Sequence, residues 1–328
     1  TRYQGVTGVQ TCALPILGRH FMVISKKLSL ITIGILISIL LISLLIDQTI
    51  SHQFMNQNSI FGTLFQNYGL FPPTLILIIS TVILNYYIFT TFQNKLAKIL
   101  TLLISFIFTL IKTNEFVSET AQYMLSTSAN IKNHKPMGMA NNEGNAGNAL
   151  SLGMSFFISL IILIIITFIC YQFWLKHTNN QELYHLFKVS LISFMILFIG
   201  LELVDSLKHL WGRFRPYEIT DKAGHFTHWL TINGNTGHSS FPSGHTGNGA
   251  FLMFIAFYFK KLRTQKIVFS IGLCYSILMA LSRIRIGAHF TSDVIMSLLI
   301  MFSLMIIADF IINQVISSHK NKLSKDWN

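Results

Sequence analysis

Residues 152–174 read LGMSFFISLIILIIITFICYQFW and contain no charged side chain. An apolar run of roughly 17–25 residues is what a helix needs to cross the hydrocarbon core of a bilayer. Hydrophobic residues make up 52% of the chain and charged residues 11%, whereas a soluble domain carries about 25% charged residues. The run and the composition together predict an integral membrane protein built from α-helices.

Other apolar runs of similar character occur along the chain. We predict an all-α, polytopic helical bundle of about eight transmembrane helices, with about six as the fallback if the two weakest fail. The long runs are residues 28–46, 74–92, 189–207 and 294–316, and the shorter ones are residues 99–111, 246–259 and 267–281.

The first residues do not fit this pattern. Residues 6–16 (VTGVQTCALPI) resemble the translation of a sequencing adapter and have neither the apolar core nor the cleavage site of a signal peptide. We therefore interpret residues 1–21 as non-native and expect the natural chain to start at Met22. Residues 22–328 are expected to form a single membrane domain. Its cysteines, Cys170 and Cys274, lie in apolar runs and indicate no disulfide or metal framework.

The distribution of Lys and Arg predicts the orientation, because positive residues in short loops remain on the cytoplasmic side. Basic residues cluster at 260–266 and in the C-terminal tail, whereas residues 47–70 contain no Lys or Arg. With eight spans, both ends lie in the cytoplasm. The net charge of +12 is then explained by topology and requires no nucleic-acid partner.

Three polar islands interrupt the apolar pattern. The first and third carry cations on the side predicted to face outward, against the topogenic bias, and all three are predicted at the same membrane face. They are Lys208 with Arg215-Pro216, then Pro242-Ser243-Gly244-His245, then Ser282-Arg283 with His289 and Asp293.

The cations of these islands suit a phosphate group. Arg presents a rigid fork of donors and Lys a point charge, so Lys208, Arg215 and Arg283 would neutralise a dianion. A single cation at the edge of a span is more often a headgroup anchor, but three that converge favour an anion site. Ser243 and Gly244 precede a predicted helix, where backbone N–H groups bind anions, although a plain helix cap is the alternative.

The islands also contain the groups that phosphoryl transfer needs. His245 is suited to act as an acid near neutral pH, although an isolated histidine is more often a structural hydrogen-bonding group. His289 and Asp293 are four residues apart, which places them on one helix face if the helix begins by His289. A carboxylate bonded to one imidazole nitrogen leaves the other as a nucleophile, while an ordinary acidic residue at a helix start is the simpler interpretation.

Together the islands resemble the signature of the type 2 phosphatidic acid phosphatase superfamily, which contains membrane lipid phosphatases and the vanadium haloperoxidases. That signature has a Lys before Arg-Pro, then Pro-Ser-Gly-His, then Ser-Arg followed by His and Asp, and every position is met here. The resemblance covers about residues 189–316, where we expect the catalytic core. The residues before 189 are supported by hydropathy alone.

The resemblance implies a phosphatase that uses no metal and no cofactor. His289 would form a phosphohistidine, Asp293 would orient it, and His245 would protonate the leaving oxygen and later activate water. Pro216 would shape its loop. The residues that would hold the phosphate oxygens are Lys208, Arg215, Ser243, Gly244 and Arg283.

From this resemblance and the orientation predicted by the basic loops, we expect a multi-pass enzyme of the cell membrane whose site faces the extracytoplasmic side and whose partners are the bilayer and a lipid phosphate. Undecaprenyl diphosphate, phosphatidylglycerophosphate and phosphatidate are the expected substrates. A lipid phosphotransferase would use the same residues. A soluble haloperoxidase is disfavoured by the spans, and a non-catalytic anion transporter by the paired histidines. Oligomeric state is left open.

Three further features lie around the islands. The polar segment from Thr113 to Ser151 is expected to be a loop, compatible with disorder or with a lid over the site. Glu202 and Asp205 are expected to pair with Lys208 or a site arginine, because unpaired charges are costly in lipid. The remaining loop histidines, His225, His228 and His238, are expected to be solvated rather than metal ligands.

Overall fold

The computed structural model describes residues 25–138, 150–221 and 224–325. Within these ranges the chain forms α-helices, two short 3₁₀ helices and the loops between them. The α-helices are α1 (Lys26–Phe54), α2 (Ile60–Tyr68), α3 (Phe71–Thr91), α4 (Lys95–Lys132), α5 (Leu152–Phe173), α6 (Asn180–Trp211), α7 (Pro216–Asp221), α8 (Gly244–Ala250), α9 (Leu262–Arg285) and α10 (Thr291–Lys325). The segment interpreted as adapter-derived, residues 1–21, lies outside the described residues.

The predicted all-α membrane architecture is confirmed. Among the described residues, 7 helical stretches are long and apolar enough to cross a membrane, against the eight that were predicted. The stretches are Lys26–Phe54, Ile60–Thr91, Lys95–Lys132, Leu152–His177, Asn180–Ile219, Leu262–Arg285 and Thr291–Asn313.

The difference lies at residues 246–259. Here α8 is followed by a 3₁₀ helix, Phe251–Tyr258, and the pair is too short to count as a span. Three of the seven residues of α8 are glycines, which have low helix propensity but allow close packing. Phe251 and Phe254 are each 1% exposed. The segment begins beside the end of α6, at Lys208, and Lys260 directly after it lies 3.2 Å from Glu182 at the start of α6. It therefore runs the length of the bundle as a buried segment.

Side-chain caps determine where several helices begin. Ser25, Asn94, Ser151 and Asn179 each precede a helix, and each side-chain oxygen accepts a hydrogen bond from a backbone N–H of the first turn. Such caps stabilise a helix start by about 1 kcal/mol. The boundaries of the spans therefore follow from polar residues that stand directly before apolar runs.

The prediction of a loop from Thr113 onward is wrong, because α4 continues to Lys132. Residues 113–135 contain no Gly or Pro to interrupt the helix. The extension packs on α2, where the Asn67 amide donates to Thr127 Oγ1 at 3.0 Å. Hydropathy suggested a loop because this part of α4 buries polar side chains such as Thr113 and Ser126. Residues 139–149 of the predicted loop lie outside the described residues.

The second half of the chain determines where the polar islands meet. α8 packs against α6, α9 and α10. The C-terminal ends of α6 and α9 therefore lie beside the N-terminal ends of α8 and α10. Each of the three islands is at one of these ends, and the packing brings them together.

Candidate active site

The first island lies where α6 ends. Lys208 is in the last turn, and its ammonium group is 3.7 Å from the Asp205 carboxylate, as predicted. Gly212 terminates the helix with a φ of 49°, and a Cβ at this position would lie 1.9 Å from the carbonyl oxygen of Gly234. Only glycine fits this turn. Arg215 follows, and its guanidinium donates to Ser239 Oγ at 3.2 Å.

The second island begins α8. Ser243 is its N-cap and accepts a hydrogen bond from the backbone N–H of Thr246, while its own N–H donates to the Asp293 carbonyl oxygen at 3.0 Å. A Cβ on Gly244 would lie 2.5 Å from Lys208 Nζ. Glycine at this position therefore lets the ammonium group of the first island approach the backbone of the second.

The third island supplies His289, which is 2% exposed. Its Nδ1 lies 2.7 Å from the Ser240 carbonyl oxygen and 3.5 Å from Asp293 Oδ2. Because a carbonyl oxygen only accepts, Nδ1 carries the proton and Nε2 keeps its lone pair. The sequence assigned this orienting contact to Asp293, but the shorter contact is made by the Ser240 backbone.

The Asp293 carboxylate is fully buried and surrounded by donors. Oδ1 accepts from Arg213 Nη1 at 2.6 Å. Oδ2 accepts from Ser240 Oγ at 2.5 Å and from the Phe290 N–H at 2.8 Å. Since Ser240 contacts both His289 and Asp293, the two side chains are held in one hydrogen-bonded unit.

Both histidines are neutral near pH 7 in the ligand-free site. Burial lowers the pKa of His289 from 6.5 to about 4, although the hydrogen bond to Asp293 opposes this shift. Burial also lowers the pKa of His245 well below 6.5, and the nearby positive charges of Arg283, Lys208 and Arg215 lower it further. The common influence of these cations on His245 places all three islands around one centre.

Polar atoms that lack a partner lie at this centre. Among the described residues, His245 Nε2 and Arg283 Nε are buried and have no hydrogen-bond partner. A cavity of about 350 Å³ lies next to the first two islands, where Lys208 and Gly244 line it. The rest of its lining is mostly apolar, with the carboxylates of Glu202 and Asp205 beside Lys208.

Comparison with known protein families is consistent with this arrangement. The model of the PAP2 superfamily matches residues 187–314, the segment that carries all three islands. These residues form a PAP2 domain. The resemblance seen in the sequence is thereby confirmed.

Two curated relatives match part of the chain. A lipid A 1-phosphatase of Rhizobium johnstonii is 36% identical over 122 residues, which are 37% of this chain and 46% of the relative. A lipid A 1-phosphatase of Rhizobium etli is 38% identical over 104 residues, 31% of this chain and 41% of the relative. The match thus spans less than half the length of either relative. No solved structure matches the chain.

Helices that precede the PAP2 domain also reach the site. The sequence left open that residues 113–151 cover the site, but it indicated neither the helix nor the residues that do so. From α2, Gln66 Oε1 accepts from Arg283 Nη1 at 3.1 Å. From α4, the Tyr123 ring packs edge-on against His245 with centroids 5.6 Å apart, and Glu119 forms a hydrogen bond with Tyr123. The extended α4 thus covers part of the site.

Each of the remaining loop histidines packs on an aromatic ring. His238 stacks on Phe214 with centroids 3.8 Å apart and lies 3.3 Å from a Glu218 oxygen, and His225 packs on the same ring. His228 contacts Phe226. No group of three or more His, Cys, Asp or Glu side chains suited to a metal is found in the described part of the chain.

Proposed function

We propose that this chain is a membrane phosphatase that hydrolyses a phosphate or diphosphate monoester of a lipid through a phosphohistidine at His289. One observation carries the proposal: the Ser240 carbonyl holds Nδ1 of His289, which leaves Nε2 as a neutral nucleophile. The positive charges of Arg215 and Arg283 act on the same ring. A nucleophile beside positively charged side chains that can bind the phosphate is the arrangement that phosphoryl transfer requires.

The reaction has two steps. In the first, Nε2 of His289 attacks phosphorus, the bond between phosphorus and the lipid oxygen breaks, and His245 donates a proton to that oxygen. In the second, His245 takes a proton from water, which attacks the phosphohistidine and releases phosphate. The non-bridging oxygens are held by Lys208, Arg215, Ser243, Gly244 and Arg283.

The role of His245 requires its protonation state to change when substrate binds. In the free site surrounding cations and burial keep its pKa low, so it is not yet an acid. A bound dianion cancels the charge of those cations and raises the pKa of His245. Substrate binding therefore supplies the acid that the first step consumes.

This coupling predicts proton uptake on oxyanion binding. Tungstate is a useful probe, since it is a tetrahedral dianion that does not titrate near pH 7. Calorimetry in buffers with different ionisation enthalpies should give uptake approaching about one proton per tungstate in the wild type. A His245→Gln variant should bind tungstate with little uptake. Identical wild-type heats in all buffers would contradict the proposed shift.

The cavity supports a lipid as the substrate. Phe198, Phe251 and Met301 line it beside Lys208 and Gly244, together with the carboxylates of Glu202 and Asp205. The apolar part of the lining suits the hydrocarbon of a lipid whose phosphate lies at Lys208. Undecaprenyl diphosphate, phosphatidylglycerophosphate and phosphatidate are candidates. The names of the two relatives add the 1-phosphate of lipid A. From the distribution of basic loops, we place the site at the extracytoplasmic side of the cell membrane.

Phosphate release from these four lipids tests the function. We expect protein purified in detergent to release inorganic phosphate from at least one of them, at the same rate with and without EDTA. Release from none of them, or release abolished by EDTA, would contradict a metal-independent lipid phosphatase. Release that occurs only as transfer to a second lipid would instead identify a phosphotransferase.

A further inference from the structure

Arg213 is the largest fully buried side chain of the described residues that carries a charge. Its Nη1 donates to Asp293 Oδ1 at 2.6 Å and to Ser292 Oγ at 2.7 Å. Its Nε donates to the Thr227 carbonyl oxygen at 2.8 Å, and its guanidinium lies 4.2 Å from the centroid of the Phe290 ring. These contacts fix the guanidinium in one orientation, directed at the carboxylate next to His289.

Asp47 is the second partner of this guanidinium, and it comes from α1, outside the PAP2 domain. Its Oδ2 accepts from Arg213 Nη2 at 3.1 Å, and its Oδ1 accepts from the backbone N–H of Ser292 at 2.9 Å. The Ser292 hydroxyl donates to Oδ2 as well. Asp47 accepts the hydrogen bond in each of these contacts, so the geometry fits a carboxylate rather than a neutral acid.

The cluster therefore contains two carboxylates and one guanidinium, a formal charge of −1, buried beside His289. Breaking a buried ion pair is costly, because it leaves an uncompensated charge. Stability alone, however, does not require the second carboxylate, since Arg213 and Asp293 already form a neutral pair. The excess negative charge is the feature that needs an explanation.

We propose that Arg213 and Asp47 are positioning residues that fix Asp293 next to His289 and keep a buried negative charge beside the imidazole ring. The ring becomes cationic when Nε2 bonds to phosphorus while Nδ1 keeps its proton, and the cluster stabilises that charge. This inference rests on the proposed function for its catalytic consequence only. The electrostatic effect on His289 is independent of turnover.

Charge substitutions distinguish this role from a purely structural one, because their effects on His289 have opposite signs. The charged and titratable groups around the ring are Asp293 of α10, Arg283 of α9, Arg215 after α6 and His245 in the first turn of α8. Arg213 and Asp47 act on it through Asp293. Removing the Asp47 charge should lower the pKa of His289, and removing the Arg213 charge should raise it.

The experiment is ¹⁵N NMR of histidine-labelled protein in detergent, with the His289 signals assigned by their absence in His289→Gln. We expect Asp47→Asn to lower the pKa of the His289 imidazole relative to the wild type. Arg213→Gln should raise it, and the double variant, which restores the formal charge, should return it towards the wild-type value. Asp309→Asn is the matched control, since Asp309 is also a buried aspartate of the membrane region, 6% exposed, and lies roughly 24 Å further along α10.

Kinetics provide the second measurement. Asp47→Asn should lower kcat about tenfold while leaving KM within about twofold, because Asp47 does not contact the substrate. An unchanged pKa of His289 and an unchanged kcat in Asp47→Asn would overturn the inference, even if the Arg213 variants fail to fold. The expected pKa shifts in a protein that releases no phosphate from any lipid would support the electrostatic role and refute the proposed function instead.

Discussion

A His289→Ala variant is expected to lose phosphate release by about 10⁴-fold or more. The loss should be this large because the substitution removes the atom that bonds to phosphorus. The measurement is release of inorganic phosphate from the preferred lipid by purified protein. KM should change much less than kcat, because the cations that bind the phosphate are unaffected.

His177→Ala provides the control for this substitution. His177 lies after α5, beside the start of α6, whereas the site lies at the end of α6, roughly 45 Å away along the helix axis. This variant should release phosphate at the wild-type rate. A His289→Ala protein that is monodisperse and retains wild-type activity would eliminate His289 as the nucleophile.

A His245→Ala variant is expected to lose about 10²- to 10⁴-fold in kcat on lipid substrates. These substrates have alkoxide-like leaving groups, which need a proton as the bond to phosphorus breaks. The rate of the first step should fall much less with p-nitrophenyl phosphate, because nitrophenolate leaves without protonation. The second step still needs His245 to activate water, so the phosphohistidine should accumulate.

A burst of nitrophenol measures this difference directly. His245→Ala should release about one nitrophenol per active site rapidly, followed by slow turnover. The His289→Ala/His245→Ala double variant should show no burst. Equal losses on lipid and aryl substrates, without a burst, would contradict the assignment of His245 as both acid and base.

The candidate site is largely readable from the sequence because its motifs are local. His289 and Asp293 are four residues apart and meet although α10 begins between them, at Thr291, and Ser243 directly precedes α8. The charges of Lys208 and Arg283 at span ends indicate the anion. How the three motifs meet depends on the packing of α8 against α6, α9 and α10, which no local pattern encodes.

The contacts made by the first half of the chain were not predicted. Asp47 and Arg213 are 166 positions apart, and Gln66 and Arg283 are 217 apart. Asp47 did carry a signal, since an acidic residue at the end of an apolar span is expected to have a partner. Hydropathy does not identify that partner. The polar composition of the second half of α4 also predicted a loop, although this part is helical and brings Tyr123 to His245.

The fold, like the site, was predicted where it depends on local sequence and missed where it depends on packing between helices. Long apolar runs predicted most of the helices correctly. The segment predicted as a span at residues 246–259 is an α-helix followed by a 3₁₀ helix, because glycines weaken the α-helix and neighbouring helices supply the packing. Apolar content alone does not predict which type of helix such a segment forms.

The most direct test of the phosphohistidine is to trap it. His245→Ala protein would be mixed briefly with ³²P-labelled substrate, quenched in alkali and digested, and the labelled peptide identified by mass spectrometry. We predict an alkali-stable, acid-labile phosphate on His289, absent from the protein in which His289 is also replaced by Ala. A phosphate attached to any other residue, or rapid turnover with no labelled protein at any time, would contradict the proposed mechanism.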